Sequence, residues 1–139
     1  MSPEAFNHYM IGIPAMDAQH KSIFDLVRVA TTMVNTGDTE DLPAVIESIY
    51  TETKNHIAYE EKLMRSIDYP FTTHHLQHHL SMLIAANSLI TRFRDNALYN
   101  VSAKTLARLV LDEFDKKFAS HVDHEDRQYA NYLSIIRSS

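Results

Sequence analysis

The sequence predicts an all-α protein, an antiparallel up-down four-helix bundle preceded by a short N-terminal arm. The 139 residues include only two glycines and four prolines, too few for the many turns of a sheet protein of this size. Apolar residues recur at helical spacing in four segments, and short connections between long helices favour antiparallel neighbours. Because 45% of the chain is hydrophobic, one core is expected, in a single domain over residues 1–139.

Turn chemistry predicts where each helix begins and ends. Gly37 suits the C-terminus of the first helix, and Asp41 and Pro43 suit the cap and first turn of the second. Pro70 separates the second helix from the third, and Ser102 can cap the fourth. The expected segments are an arm over 1–16 and a bundle over 17–136, with helices at about 17–35, 41–66, 72–94 and 102–136.

The composition excludes several classes of site and partner. The absence of cysteine excludes disulfides, thiolate zinc sites and conventional iron–sulfur clusters, so histidines and carboxylates must hold any metal. A net charge of -5 with scattered basic residues argues against nucleic acid. The N-terminal stretch "MSPEAFNHYMIG" does not resemble a signal peptide, and no segment is long and apolar enough to span a bilayer. We therefore expect a cytoplasmic protein without a membrane partner.

The stretch "TTHHLQHHLSML" holds four histidines that a helix can present in two registers. At about 100° per residue, His75 and His79 share one row, and His74 and His78 share another. The first row continues with Met82, Ala86, Leu89 and Phe93. The second continues with Ser81, Ala85, Ser88 and Arg92. We predict that His75 and His79 face the core and that His74 and His78 are exposed without a role.

The other helices also place polar residues on their apolar faces. These are His20 in the first helix, His56 and Glu60 in the second, and His121 in the fourth. A single histidine on such a face is more often a hydrogen-bonded core residue than a ligand. Five histidines and a glutamate over four helices favour metal binding, because buried polar groups need partners. The i, i+4 pairs imply two metal ions, and iron, manganese and zinc all suit these ligands.

Four stretches of the chain together resemble the hemerythrin family, bacterial type. They are "GIPAMDAQHKSIFDLV", "HIAYEEKLM", "YPFTTHHLQHHLSML" and "HVDHEDRQYANYL", and they carry a lone His, HxxxE, HxxxH and HxxxxD in this order. The resemblance covers nearly the whole chain and implies a non-haem centre of two iron ions with an oxo or hydroxo bridge. The implied ligands are His75, His79 and His121 for one iron, His20 and His56 for the other, and Glu60 and Asp126 as bridges.

The resemblance also implies what the centre binds. Dioxygen would bind reversibly at the open position of the two-histidine iron, and small anions such as azide would bind there in the oxidised protein. Phe118 matches a bulky apolar position near the family's oxygen pocket, although core packing explains it equally well. The tryptophans common in the family are absent here, and Phe6 or Tyr9 would replace the N-terminal one. His124 is expected at the surface or beside the ligands.

Three uses of such a centre remain open. Oxygen sensing would involve a signalling domain or partner protein, whereas oxygen storage or delivery needs only this domain. A di-iron peroxidase or oxidase is the enzymatic alternative, but the ExxH motifs of ferritin-like oxidases are absent and no separate acid or base is evident. A metal-stabilised structural or regulatory bundle, for instance with zinc, is the remaining alternative.

The fourth helix raises a geometric question. His121 and Asp126 are five residues apart, about 140° out of line in a regular helix. The apolar stripe is also displaced after His121 by roughly one residue's rotation. A π-bulge would explain both observations, because its i to i+5 turn brings residues five apart onto nearly one face. The alternative is a gentle bend, with Asp126 reaching in from the flank.

Overall fold

The computed structural model describes residues 2–95 and 101–138, without the side chains of residues 3, 93–95 and 101–103. The described backbone contains helices and no strand. The elements are α1 Pro3–Asn7, α2 Pro14–Thr36, α3 Leu42–Ser66, α4 Thr72–Asp95, α5 Val101–His121, a π-helical segment Val122–Asp126 and α6 Arg127–Ser138. The expected cap at Ser102 and the core position of Phe93 lie outside the described side chains.

The four long helices form an antiparallel bundle, as the sequence predicts. α2 and α4 occupy opposite corners, since each packs against both α3 and α5. The π-helical segment and α6 extend α5 without a turn, so the fourth helix of the bundle is built from three consecutive elements. None of the helices that the structure describes is both long and apolar enough to cross a membrane.

The helix ends follow the predicted turn chemistry with two differences. Gly37 ends α2 with a positive φ of 79°, and its N–H donates to the carbonyl of Met33 over 3.0 Å. Asp41 is the N-cap residue of α3 and Pro43 lies in the first turn, as predicted, but the side chain of Asp41 makes no capping hydrogen bond. Asp41 has φ -92° and ψ 1°, outside the extended region in which a side chain reaches the free N–H groups. α2 begins at Pro14, earlier than the expected Asp17, with the proline in its first turn.

The N-terminal arm forms hydrogen bonds with α2, the first helix of the bundle, and with α6, the last. The buried carboxylate of Asp17 accepts hydrogen bonds from the N–H groups of Ile11, over 2.8 Å, and Gly12, over 3.2 Å. The guanidinium of Arg127 donates to the carbonyl oxygens of His8 and Met10. The arm therefore lies across α2 and the start of α6.

The core consists of two apolar clusters with a polar layer between them. The larger cluster includes Phe24, Phe114 and Phe118. The smaller one consists of Met16, Met64, Tyr69, Tyr129 and Leu133, with further side chains packed around it. In each long helix of the bundle, buried polar residues lie where one cluster gives way to the other. The polar layer is thus shielded from solvent by apolar side chains on two sides.

Candidate metal centre

All seven predicted ligand residues meet in the polar layer between the two clusters. The register arithmetic for α4 is confirmed, because His75 and His79 are buried whereas His74 is exposed. Each of the seven side chains is at most 2% exposed. They are His20 from α2, His56 and Glu60 from α3, His75 and His79 from α4, His121 from the end of α5, and Asp126 from the π-helical segment.

The seven side chains divide into two donor sets that share the carboxylates. One set is Glu60, His75, His79, His121 and Asp126, and the other is His20, His56, Glu60 and Asp126. Within each set, one ligand atom from every residue lies within 4.8 Å of the others. The sets are unequal, with three imidazoles in one and two in the other.

Each carboxylate turns one oxygen toward each set. On the three-histidine side, Oδ1 of Asp126 lies 3.0 Å from Nε2 of His75 and 2.9 Å from Nε2 of His121. Oε1 of Glu60 lies 2.9 Å from Nε2 of His79 and is also in close contact with His75. These oxygens and nitrogens converge on one point.

The remaining carboxylate oxygens face the two-histidine side. Oδ2 of Asp126 lies 2.9 Å from Nε2 of His20, and Oε2 of Glu60 lies 3.0 Å from Nε2 of His56. The two Nε2 atoms are 3.2 Å apart. Glu60 and Asp126 are consequently arranged as two-atom bridges between the donor sets.

Several of these atoms have no hydrogen-bond partner despite the short distances. Nε2 of His121, Oε2 of Glu60 and Oδ2 of Asp126 are buried and have no hydrogen-bond partner within the described part of the chain. Donors about 2.1 Å from a common ion and at right angles to each other would lie about 3 Å apart. The observed separations match that spacing, and a cation at each focus would satisfy the unpaired atoms. The residues therefore fit metal ions.

Two contacts outside the donor sets orient ligand rings. Oε1 of Gln19 accepts a hydrogen bond from Nδ1 of His56 over 2.6 Å, which leaves Nε2 of that ring free to bind a cation. Oε1 of Glu61 lies 3.3 Å from Nδ1 of His79 and orients that ring in the same way, with Nε2 toward the donor set. Sequence reasoning missed both residues. Each lies on the flank of its helix, and the period of one helix does not reveal contacts with the next.

Charge coupling within the layer changes the acidity of its members. Burial and the nearby charge of Asp126 raise the pKa of Glu60, but close polar contacts with His121, His56 and His75 outweigh both and hold that pKa well below its usual range. Burial lowers the pKa of His56, but contacts with the two carboxylates raise it to about 9. The same balance raises the pKa of His121 to about 10. Bound cations would take the place of these imidazole protons.

Phe118 lies against the two-histidine set. Its ring centroid is 5.8 Å from that of His20 and 6.3 Å from that of His56, and its side chain is completely buried. Phe24 packs on its other side, with ring centroids 4.9 Å apart. In turn, both Phe6 and Tyr9 pack on Phe24. Aromatic side chains thus cover one face of the two-histidine set.

Tyr69 borders the opposite side of the layer and was not expected there. Its ring is 3% exposed, and its centroid lies 6.4 Å from that of His75 and 5.2 Å from that of Tyr129. Burial, together with the negative charges of Glu60 and Asp126, raises its pKa to about 12. In the sequence, Tyr69 lies in the loop before α4, where helical periodicity gives no indication of burial.

The π-bulge prediction is confirmed, and the gentle bend is excluded. Residues Val122–Asp126 form a π-helix between α5 and α6. Asp126 is completely buried, and its Oδ1 lies 2.9 Å from Nε2 of His121, on the same face. The extra residue of the π-turn therefore brings two candidate ligands five positions apart into the same layer.

The other histidines lie outside the two donor sets. His8 is exposed, with its Nε2 3.5 Å from a carboxylate oxygen of Asp123. His124 is exposed and bonded through Nδ1 to the carbonyl of Ser120, which confirms the expected surface position. His78 is partly buried rather than exposed, because its Nε2 reaches Oε1 of Glu125 over 3.1 Å.

The fold and the site together define a helical bundle that binds cations through buried histidines and carboxylates. The chain belongs to the hemerythrin family, since residues 11–133 match the Hemerythrin HHE cation binding domain. This match confirms the resemblance found in the sequence. Domains of this family bind non-haem iron, in agreement with the thiolate-free donor sets.

Curated relatives of the chain are bacteriohemerythrins. The one from Campylobacter jejuni serotype O:2 is 26% identical over 118 residues, which span 84% of each chain. The one from Stenotrophomonas maltophilia is 23% identical over 88% of this chain and 76% of its own. The one from Pseudomonas paraeruginosa is 24% identical over 92% of this chain and 77% of its own. No solved structure gives a significant match.

Proposed function

We propose that the chain holds two iron ions and binds dioxygen reversibly at the one held by His20 and His56. The observation that carries the proposal is the inequality of the two donor sets. One ion would have three imidazoles and two carboxylate oxygens, and the other would have two imidazoles and two carboxylate oxygens. With one donor fewer, the second ion has room for an exogenous ligand. Ferrous ions held by these residues would supply the two electrons that bound dioxygen takes up, and would regain them when it is released.

The protein's own residues support reversible binding rather than turnover. Phe118 and Phe24 form an apolar wall beside the two-histidine set, which disfavours separation of charged products. Gln19 fixes the orientation of the His56 ring through its hydrogen bond. A surface cavity of about 310 Å³ between α2 and α3 is lined by Gln19 and His56, and it offers small molecules an approach to this side.

The use of oxygen binding is proposed to be sensing or storage and delivery. Sensing would transmit the ligand state to a signalling domain or partner protein, and storage would need the bundle alone. A di-iron peroxidase or oxidase would require acid–base groups beside the open position, where Phe118 packs instead. A zinc-stabilised structural bundle is the other alternative.

The test is an absorption spectrum of the iron-reconstituted protein through a cycle of reduction, oxygenation and removal of oxygen. We expect two irons per chain and a visible band that appears with oxygen and disappears when oxygen is removed. Azide added to the oxidised protein should also produce a new band, because it enters the same open position. Two irons without a spectral response to either ligand would refute oxygen binding, and zinc as the native metal would favour the structural bundle.

A further inference from the structure

A third cluster of ligand-type side chains lies outside the buried layer, between α4 and the π-helical segment. It consists of His74, His78 and Glu125, each offering one ligand atom within 4.8 Å of the other two. Nε2 of His78 lies 3.1 Å from Oε1 of Glu125. The rings of His74 and His78 are 4.7 Å apart and inclined at 65°. The spacing of four residues on α4 brings the two imidazoles to the same side of the helix.

The arrangement is more than a surface ion pair. An ion pair with Glu125 needs only one imidazole, whereas here a second imidazole stands beside the first. Glu125 is held in place by burial, since its side chain is 13% exposed while that of His78 is 41% exposed. Two imidazoles and one carboxylate on one face, with solvent on the other, match the facial set that binds divalent metal ions and leaves positions open.

We propose that His74, His78 and Glu125 form a separate, solvent-facing site for one divalent first-row transition-metal ion. The site shares no ligand with the buried donor sets and does not depend on the proposed oxygen binding. Water fills its remaining coordination positions, because only three protein donors are present. The ion there exchanges readily with solvent, whereas ions in the buried layer are enclosed by the core.

The site adjoins the buried layer without joining it. Oε2 of Glu125 lies 4.0 Å from Nδ1 of His121, and the rings of His78 and His121 are 6.3 Å apart. Nδ1 of His121 has no hydrogen-bond partner within the described chain. Glu125 therefore stands between a buried ligand ring and the outer histidines, with its two oxygens directed to different sides.

The first test is calorimetric titration of the iron-loaded, oxidised protein with Zn²⁺. We expect one Zn²⁺ per chain to bind with no release of iron. His78→Ala, His74→Ala and Glu125→Gln should each weaken this binding by at least about tenfold, because each removes one of only three ligands. His124→Ala is the matched control. His124 is exposed and lies in the π-helical segment that carries Glu125, but it is outside the cluster, so its replacement should leave the affinity for Zn²⁺ unchanged.

The second test uses the wild-type protein and so does not depend on the folding of any variant. Diethyl pyrocarbonate modifies accessible imidazoles, and mass spectrometry locates the modified residues. Saturating Zn²⁺ should protect His74 and His78 while His8 and His124 react as before. Equal reactivity of all four histidines with and without Zn²⁺, or the same loss of affinity in His124→Ala as in His78→Ala, would overturn the site.

Discussion

In two of the buried imidazoles, those of His56 and His79, the two ring nitrogens have different partners, and this difference determines what the residue can do. In His56, Nδ1 donates to Gln19 while Nε2 faces the carboxylates. In His79, Nδ1 faces Glu61 and Nε2 faces Glu60. A proton held on the outer nitrogen leaves the inner lone pair for a cation. These rings are therefore prepared as ligands by contacts outside the donor sets.

At the residue scale, the register of α4 predicts which histidines retain metal. His75→Ala or His79→Ala should remove at least one of the two proposed buried ions, because each deletes an inner ligand that solvent cannot replace. His74→Ala and His78→Ala serve as matched controls on the same helix and should keep both. Metal content is measured by elemental analysis after a brief wash with chelator, which strips the outer site. A loss of buried iron in either control would show that the register is wrong.

At the element scale, the π-helical segment acts as a one-residue insertion in a continuous helix. Upstream, Phe118 and His121 face the core, and downstream Asp126 and Tyr129 face it too. A regular helix would rotate the downstream pair by about 100° away from this face. The π-turn compensates for that rotation, so the buried faces of α5 and α6 both point toward the core.

Deleting His124 should therefore convert the segment to a regular α-helix and preserve the binding of both proposed metal ions. The deletion places His121 and Asp126 four positions apart, which an α-helix aligns within about 40°. Deleting Lys117 from the regular part of α5 is the contrasting change. It rotates Phe114 about 100° relative to Phe118 and should abolish metal binding. Circular dichroism would measure the helix content of both variants, and elemental analysis would measure their metal content. If the variant that lacks His124 binds no metal, the π-turn has a role beyond accommodating one extra residue.

Single-helix periodicity explains why most of the site could be predicted from sequence. His75 and His79 share a row with apolar residues, and the displaced stripe around His121 predicts either a π-turn or a bend at that point. Contacts between helices leave no such periodic signal. The roles of Gln19 and Glu61 therefore emerged only from the structure, as did the burial of Tyr69 in a loop. The same is true of Glu125, whose contact with His78 joins two elements distant in sequence.

At the scale of the whole molecule, the polar layer divides the core and connects the four helices of the bundle through contacts between their side chains. His20 on α2 meets Asp126 of the π-helical segment, and Glu60 on α3 meets His79 on α4. Each of these contacts crosses between helices within a water-excluded layer. Without cations, five imidazoles and two carboxylates must satisfy one another there, and several of their buried atoms lack partners within the described residues. Cations would therefore be expected to stabilise this layer.

Removing the metal should lower the stability of the entire bundle. An ion that binds only the folded chain adds about 2.7 kcal/mol when its free concentration is one hundred times its Kd. Two such ions would raise the free energy of unfolding by about 5 kcal/mol, which corresponds to a Tm higher by about 10–20 °C for a domain of this size. The measurement is thermal unfolding followed by circular dichroism, before and after chelation. His75→Ala is the control, because a chain already deficient in buried metal should respond less to the chelator. An unchanged Tm after verified removal of both ions from the wild-type protein would mean that protein contacts alone stabilise the layer.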